Sequence, residues 1–297
     1  MLLDLCQWMP PAATGSFVSL KKFTTMTGTT KNHLRQEIEN TILTKANNSW
    51  FEKWFDSSFY HKLYANRDEK EAAGFIDELL EELQPAPRSR MLDLGCGNGR
   101  HSKWLASKGF DVSGIDLAAS SIRDAKRYAS ATLRFYCQDM RVPFGNKAFD
   151  YVFNFFTSFG YFNNADDDNK VVRNIVTALK PGGSLVMDYI NADYAEKRLT
   201  PSEEKEIDGI VYHISRWADE KYIFKKISID EELFGKPLEY TERIKKFSLH
   251  DFKELFNNNG LRLTNVSGDY ALNGYDSETS PRIIMIAKKF TDESDVR

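Results

Sequence analysis

The stretch Asp93-Leu-Gly95-Cys-Gly97-Asn-Gly99 constrains this chain more than any other. Residues 91–94 form a short apolar strand that runs straight into glycines, and a helical pattern through Trp104 and Leu105 follows, with a C-cap at Gly109. Strand, glycine turn and helix in that order let backbone approach a ligand at the carboxyl edge of a sheet. The pattern then repeats. Strands at 112–115, 133–137, 151–156 and 184–190 are separated by helices marked by Ile122, Ala125 and Ala129, and by Val171, Val172, Ile175 and Leu179; Lys180-Pro-Gly-Gly183 turns into the last of these strands. Such alternation predicts an α/β fold, a parallel sheet with helices on both faces and right-handed crossovers.

The spacing Gly-x-Gly-x-Gly differs from the Gly-x-Gly-x-x-Gly of a dinucleotide site, and Asp93 stands two residues before the first glycine. That carboxylate repels a pyrophosphate but holds a ligand with an ammonium group, directly or through water. A dinucleotide oxidoreductase therefore ranks last. Asp116 ends the second strand, where a carboxylate can accept both hydroxyls of a ribose. Asp139, after Phe135-Tyr-Cys-Gln138, follows the third strand within reach of an adenine edge. Leu117 is placed to pack on a base, and the Met140 amide to donate to a ring nitrogen. Three acids at successive strand ends, joined to the glycine turn, predict a nucleoside-bearing ligand.

Composition excludes several alternatives. The 297 residues suffice for one large domain or two modest ones. Forty Lys and Arg against 43 Asp and Glu sum to −3, so no basic field recruits nucleic acid. The three cysteines, Cys6, Cys96 and Cys137, contain no CxxC, which predicts neither disulfides nor zinc and suits a cytoplasmic setting. Cys137 is expected to be a small buried hydrophobe. The five histidines lack metal-ligand spacing, and no metal is expected.

Residues 1–45 read as a flexible tail in which Met26 is a candidate start; no stretch has the length of a membrane span, and no membrane partner is expected. Residues 46–87 read as a helical segment. Trp50, Phe51, Trp54, Phe55, Phe59, Tyr60 and Tyr64 recur at helix-like intervals, and Asp68 with Glu71 makes a capping box. Phe75, Leu79, Leu80 and Leu83 supply a buried stripe before Pro85 and Pro87. The aromatics serve either packing or a lid over a ligand. After Asn191 the helical signal fades, and 210–216, 222–229 and 238–244 read as three antiparallel strands within an insertion spanning 193–247. The alternation of Ile210, Tyr212 and Ile214 gives the insertion an apolar face. That face is open to three uses: the mouth of an active site, a second subunit in a homodimer, or plain packing on the core. A helix through Phe252 and Phe256 and strands at 261–266 and 283–287 close the chain.

These residues resemble the motifs of the class I S-adenosylmethionine-dependent methyltransferases. Asp93-Leu-Gly-Cys-Gly-Asn-Gly99 is similar to the first motif, Gly114-Ile-Asp116 to the second, Gln138-Asp-Met140 to the third and Phe149-Asp-Tyr-Val152 to the fourth. Leu179-Lys-Pro-Gly-Gly183 resembles the turn before strand five. The resemblance implies a Rossmann-like, mostly parallel seven-stranded sheet with its last strand antiparallel, built from residues 88–192 and 248–290. It places S-adenosyl-L-methionine at the point where strand order reverses. Gly95, Gly97 and Gly99 would pass under the methionine part, Asp93 would face its ammonium, Asp116 the ribose and Asp139 the adenine amine. Cys96 and Gln138 within the motifs, and Phe155 beyond the fourth, complete the carried-over set. Trp54 to Arg67, with Ser158-Phe-Gly-Tyr-Phe162, looks like a bacterial subgroup in whose relatives an aromatic and an arginine reach the methionine end; Tyr60, Tyr64 and Arg67 are the candidates here.

A sulfonium is already an activated methyl donor, so the protein needs mainly to align an acceptor. This suits a chain with no Ser/His/Asp or Cys/His constellation. The segment after the fourth strand lacks the Asn/Asp-Pro-Pro-aromatic clamp for a flipped base. Its Phe155, Phe156, Phe159, Tyr161 and Phe162 suggest an apolar, partly aromatic pocket for a small molecule. Tyr161, Tyr189, Asn191 and His213 are candidates to polarise the acceptor, and no spacing selects among them. The expected activity is methyl transfer to a small-molecule N or O acceptor. A tRNA or protein methyltransferase and a non-catalytic S-adenosylmethionine-binding module are the alternatives.

Overall fold

The computed structural model describes residues 50–65, 69–230 and 237–290. They divide into two compact units, one of residues 65–197 and 244–290, the other of residues 50–64 and 198–243. The tail reading, Arg67 and the Asp68 half of the capping box lie outside the described residues.

The larger unit is a seven-stranded sheet in the order β10-β11-β5-β4-β1-β2-β3. Its members are β1 (Arg90–Leu94), β2 (Asp111–Asp116), β3 (Leu133–Cys137), β4 (Phe149–Asn154), β5 (Leu179–Ile190), β10 (Leu261–Ser267) and β11 (Arg282–Lys289). Strands β1 to β5 pair in parallel and β11 runs antiparallel between β5 and β10. Unbroken apolar runs are what strands covered on both faces require. Met91, Leu92, Leu94, Val152, Phe153, Leu185, Val186 and Met187 are accordingly buried. Helix α3 (Glu69–Leu83) buries Phe75, Ile76 and Leu79, α4 (Arg100–Ser107) buries Leu105, α5 (Ala119–Ala125) Ile122 and α6 (Ala165–Ala178) Val171, Val172 and Ile175. Asn164 caps α6 by accepting from the Asp167 amide, and Ser248 with Asp251 forms a capping box on α8 (Leu249–Asn257). A short helix, α7 (Ala192–Glu196), follows β5.

Two boundaries differ from the sequence reading. The fourth strand ends at Asn154, not Phe156, because Phe156 and Thr157 adopt positive φ (55° and 58°), which no strand continues. Strand five begins at Leu179, and its pairing with β4 jumps from Phe149↔Leu179 to Tyr151↔Ser184, so Lys180-Pro-Gly-Gly183 bulges out within it. A side chain at Gly183 would sit 2.9 Å from the Asp150 carbonyl.

The smaller unit pairs α1 (Trp50–Phe55) and α2 (Ser58–Leu63) with an antiparallel sheet ordered β6-β7-β8-β9. Its strands are β6 (Ser202–Ile207), β7 (Ile210–Ala218), β8 (Tyr222–Ile229) and β9 (Leu238–Lys245). The helical segment expected over 46–87 is therefore split between the units. The insertion has four strands, not three. β6 was hidden by its polar sequence, yet Asp208-Gly209, with φ 52° and 73°, is the two-residue hairpin turn that joins it to β7. The apolar face of Ile210, Tyr212 and Ile214 packs on Trp54 and Phe59 of the same unit. At one end of this core Trp54 Nε1 and Tyr64 Oη both donate to Glu242 Oε1, and Lys225 donates to Tyr64 Oη. No described helix is long and apolar enough to cross a membrane.

Candidate active site

The glycine turn is held open by backbone bonds. Gly95 and Cys96 both donate to the Ile115 carbonyl, at 2.8 and 3.0 Å. The three glycines have φ of 82°, 54° and 82°, a region that side chains resist. They do different work. A Cβ at Gly95 would lie 2.7 Å from Ser158 and one at Gly99 2.7 Å from the Phe135 ring, so both are needed for packing. A Cβ at Gly97 would meet nothing within 4 Å, leaving open space above the turn. Asp93 is buried; its Oδ2 accepts from Ser102 Oγ at 2.6 Å, and its Oδ1 is buried with no hydrogen-bond partner. Burial, against the pull of the Ser102 bond, pushes Asp93 up to about 6.

At the end of β2, Asp116 accepts the Gly97 amide on Oδ2 and the Ala118 amide on Oδ1, each at 2.8 Å. Leu117 beside it is half-buried. Beyond β3, Gln138 donates to the Pro143 carbonyl at 3.0 Å, and the Met140 carbonyl accepts from Asn174. Asp139 is engaged by Arg141, through Nε at 3.1 and 3.0 Å and Nη2 at 2.6 Å. Burial opposes its ionisation, but the Arg141 bonds hold its carboxyl below the usual range. Cys96 is buried and its thiol is pushed well up by burial and by Asp93. Cys137, expected buried, is exposed: it ends β3, an edge strand of the sheet, with its Sγ 3.4 Å from the Leu117 carbonyl.

Residues 91–183 match the family model described as a methyltransferase domain. The chain is 26% identical over 243 residues to the YqeM protein of Bacillus subtilis (strain 168), itself provisionally named a methyltransferase; the match spans 78% of this chain and 95% of that one. Among solved structures, an S-adenosylmethionine-dependent methyltransferase from Clostridium acetobutylicum aligns over 78% of this chain and 96% of its own, with TM-score 0.65 and 22% identity. A sugar N-methyltransferase from Streptoalloteichus covers 94% of this chain and 99% of its own, with TM-score 0.59 and 16% identity. The chain carries a methyltransferase domain on the fold of the S-adenosylmethionine-dependent methyltransferases. The site suits that cofactor: the space above Gly97 admits a close ligand, and the unmet Asp93 Oδ1 calls for a donor such as an ammonium group.

The segment after β4 is tied to β5 and β11. Asp188 accepts the Phe156 amide at 2.9 Å and the Tyr270 hydroxyl at 3.2 Å, and pairs with Arg282 at 2.7 Å. Thr157 Oγ1 accepts from Arg282 Nη2 and from the Ile190 amide, each at 3.0 Å. Phe155 is buried against Phe75 and His101, with ring centroids 5.5 and 4.8 Å away. The sequence reading missed Ser102, Asp188, Thr157, Tyr270 and Arg282; Ser102, one helical turn into α4 on the side facing β1, was the only one that periodicity could have found. Of the acceptor candidates, Tyr161 donates to the Thr157 carbonyl, Tyr189 is buried and donates to Lys245 O at 2.8 Å, and Asn191 donates to Ser277 O and Ser280 O. His213 belongs to the other unit, with Glu204 and Asp230 at 3.1 and 2.8 Å. Tyr60 and Tyr64 also belong there, 4.8 Å apart by ring centroids.

Proposed function

We propose that this methyltransferase transfers a methyl group to a nitrogen or oxygen of a small molecule in the cytoplasm. The observation that carries the reading is the segment 155–162, where Phe155, Phe159 and Phe162 are buried and Phe156 is half-buried beside Tyr270. An aromatic, closely packed edge suits a compact acceptor better than a polyanion. The sugar N-methyltransferase among the structural neighbours is consistent with it, as a likeness of fold.

In this reading Asp116, at the end of β2, receives the ribose hydroxyls, and Asp93 the ammonium. Leu117 lies on the base, with Gln138, Asp139 and the Met140 amide along its edge. Bound S-adenosylmethionine supplies a methyl already activated by the sulfonium charge. The chain's own residues contribute alignment and exclusion of water, which are worth several powers of ten in rate. Tyr189 gives its hydroxyl hydrogen and Asn191 its amide hydrogens to backbone carbonyls, so their role is to hold the edge in shape. Tyr161 remains the candidate nearest the Phe156–Thr157 turn.

The test is methyl-labelled S-adenosylmethionine incubated with a cell extract and the purified protein. Label should enter the fraction below about 1 kDa, the size of pocket ligands, and resist RNase and protease. Label confined to macromolecules, and released by either enzyme, would exclude a small acceptor.

A further inference from the structure

Arg100 opens α4, directly after Gly99. Its guanidinium lies 4.0 Å from the centre of the Phe156 ring, and its charge favours the ionised form of Asp93. The backbone that carries Phe156 is fixed. Its φ of 55° is held by the bond from its amide to Asp188, and the next residue, Thr157 at φ 58°, is fastened by Arg282 and the Ile190 amide. A guanidinium stacked on a ring keeps its N–H groups in the plane, the geometry that receives a carboxylate in two parallel bonds.

The methionine end of the cofactor is an α-amino acid, with a cation and an anion on one carbon. A site that offers an acid to the ammonium needs a cation beside it for the carboxylate, or a charge is stranded as the ligand loses water. Asp93 and Arg100 flank the glycine turn on its two sides, one near the end of β1 and the other at the start of α4. We infer that Arg100 holds the carboxylate of the cofactor's methionine end, with Phe156 as the residue that positions it. The inference rests on the reading of the glycine turn and Asp93 as the amino-acid end of the cofactor site.

Two ligands separate this role from a structural one: S-adenosylhomocysteine, which carries the amino acid, and 5′-methylthioadenosine, which lacks it. Calorimetric titration of Arg100→Gln should show S-adenosylhomocysteine weakened at least about tenfold, the usual scale for a charge-assisted pair, with methylthioadenosine unchanged within about twofold. Arg100→Lys should recover part of the loss, since a point charge replaces the planar fork. Phe156→Leu, which keeps apolar bulk and leaves Arg100 in place, should show the same split in milder form and serves if Arg100→Gln does not fold. Asp116→Ala should weaken both ligands. Unchanged S-adenosylhomocysteine affinity in Arg100→Gln, or an equal fall for both ligands, overturns the inference. If the unaltered protein binds methylthioadenosine and Asp116→Ala leaves that binding intact, the ribose reading fails separately.

Discussion

At the residue scale, Asp93 carries the sharpest consequence. Its carboxyl, up at about 6 against an ordinary 3.8, binds a proton in the folded protein over a range where the unfolded chain has lost it. The unfolding free energy therefore falls as the pH rises from about 4 to 6, by about 3 kcal/mol once Asp93 is fully ionised. Asp168, raised to about 6 by burial against the pull of Lys245, adds a slope of the same sign. A ligand ammonium favours ionised Asp93, so S-adenosylhomocysteine should bind more tightly across the same window and release protons as it does. Urea unfolding at pH 4.5 and 7, and calorimetry in buffers of different ionisation enthalpy, measure the two effects. Asp93→Asn should keep the Asp168 slope alone. Identical slopes in the variant and the parent would show that Asp93 is not the titrating group.

At the scale of elements, β4 ends where it does because β5 and β11 supply a buried counter-structure. Two consecutive non-glycine residues at positive φ cost about 1–3 kcal/mol each. The Asp188–Arg282 pair, both members buried, offsets this through the Phe156 amide and the Thr157 hydroxyl. Removing one partner leaves an uncompensated buried charge, so Arg282→Gln should destabilise the larger unit by about 3–5 kcal/mol. Pairing it with Asp188→Asn should restore part of the loss. A double-mutant cycle in urea reads the coupling, and strictly additive losses would mean that the pair does not act as a unit.

At the scale of the whole molecule, two separate cores stand behind the two units. One gathers Phe75, Met91, Leu105, Phe135, Phe153 and Val186; the other gathers Trp54, Phe59, Ile210, Tyr212 and Ile227. Within the second, burial pushes Lys225 down to about 8, with Glu242 and Tyr64 as its polar company. Trp54→Ala should cost this core about 3–5 kcal/mol, both by cavity and by the lost bond to Glu242. Limited proteolysis should then cut within residues 198–243, while S-adenosylhomocysteine affinity stays within about twofold of the parent, a margin of less than 0.5 kcal/mol. Cleavage that begins instead within residues 88–192 would show that the cores are not independent.

The sequence alone determined the α/β sheet, the glycine turn and the acids at successive strand ends. These are local: strand period, helix period and the positive φ of Gly95, Gly97 and Gly99 are set by residues close together in the chain. It also carried the Asp208-Gly209 turn, although β6 beside it has too few apolar residues to announce a strand. Only the tertiary structure decided which charges meet. Asp188 and Arg282 are 94 residues apart, and Trp54 and Glu242 are 188 apart. No period links such positions; strand order does, by laying β11 against β5 and folding β9 into one core with α1. The exposure of Cys137 has the same origin, because β3 is an edge strand only by virtue of the order of the sheet, and an apolar neighbourhood in sequence cannot say which strand is left at the edge.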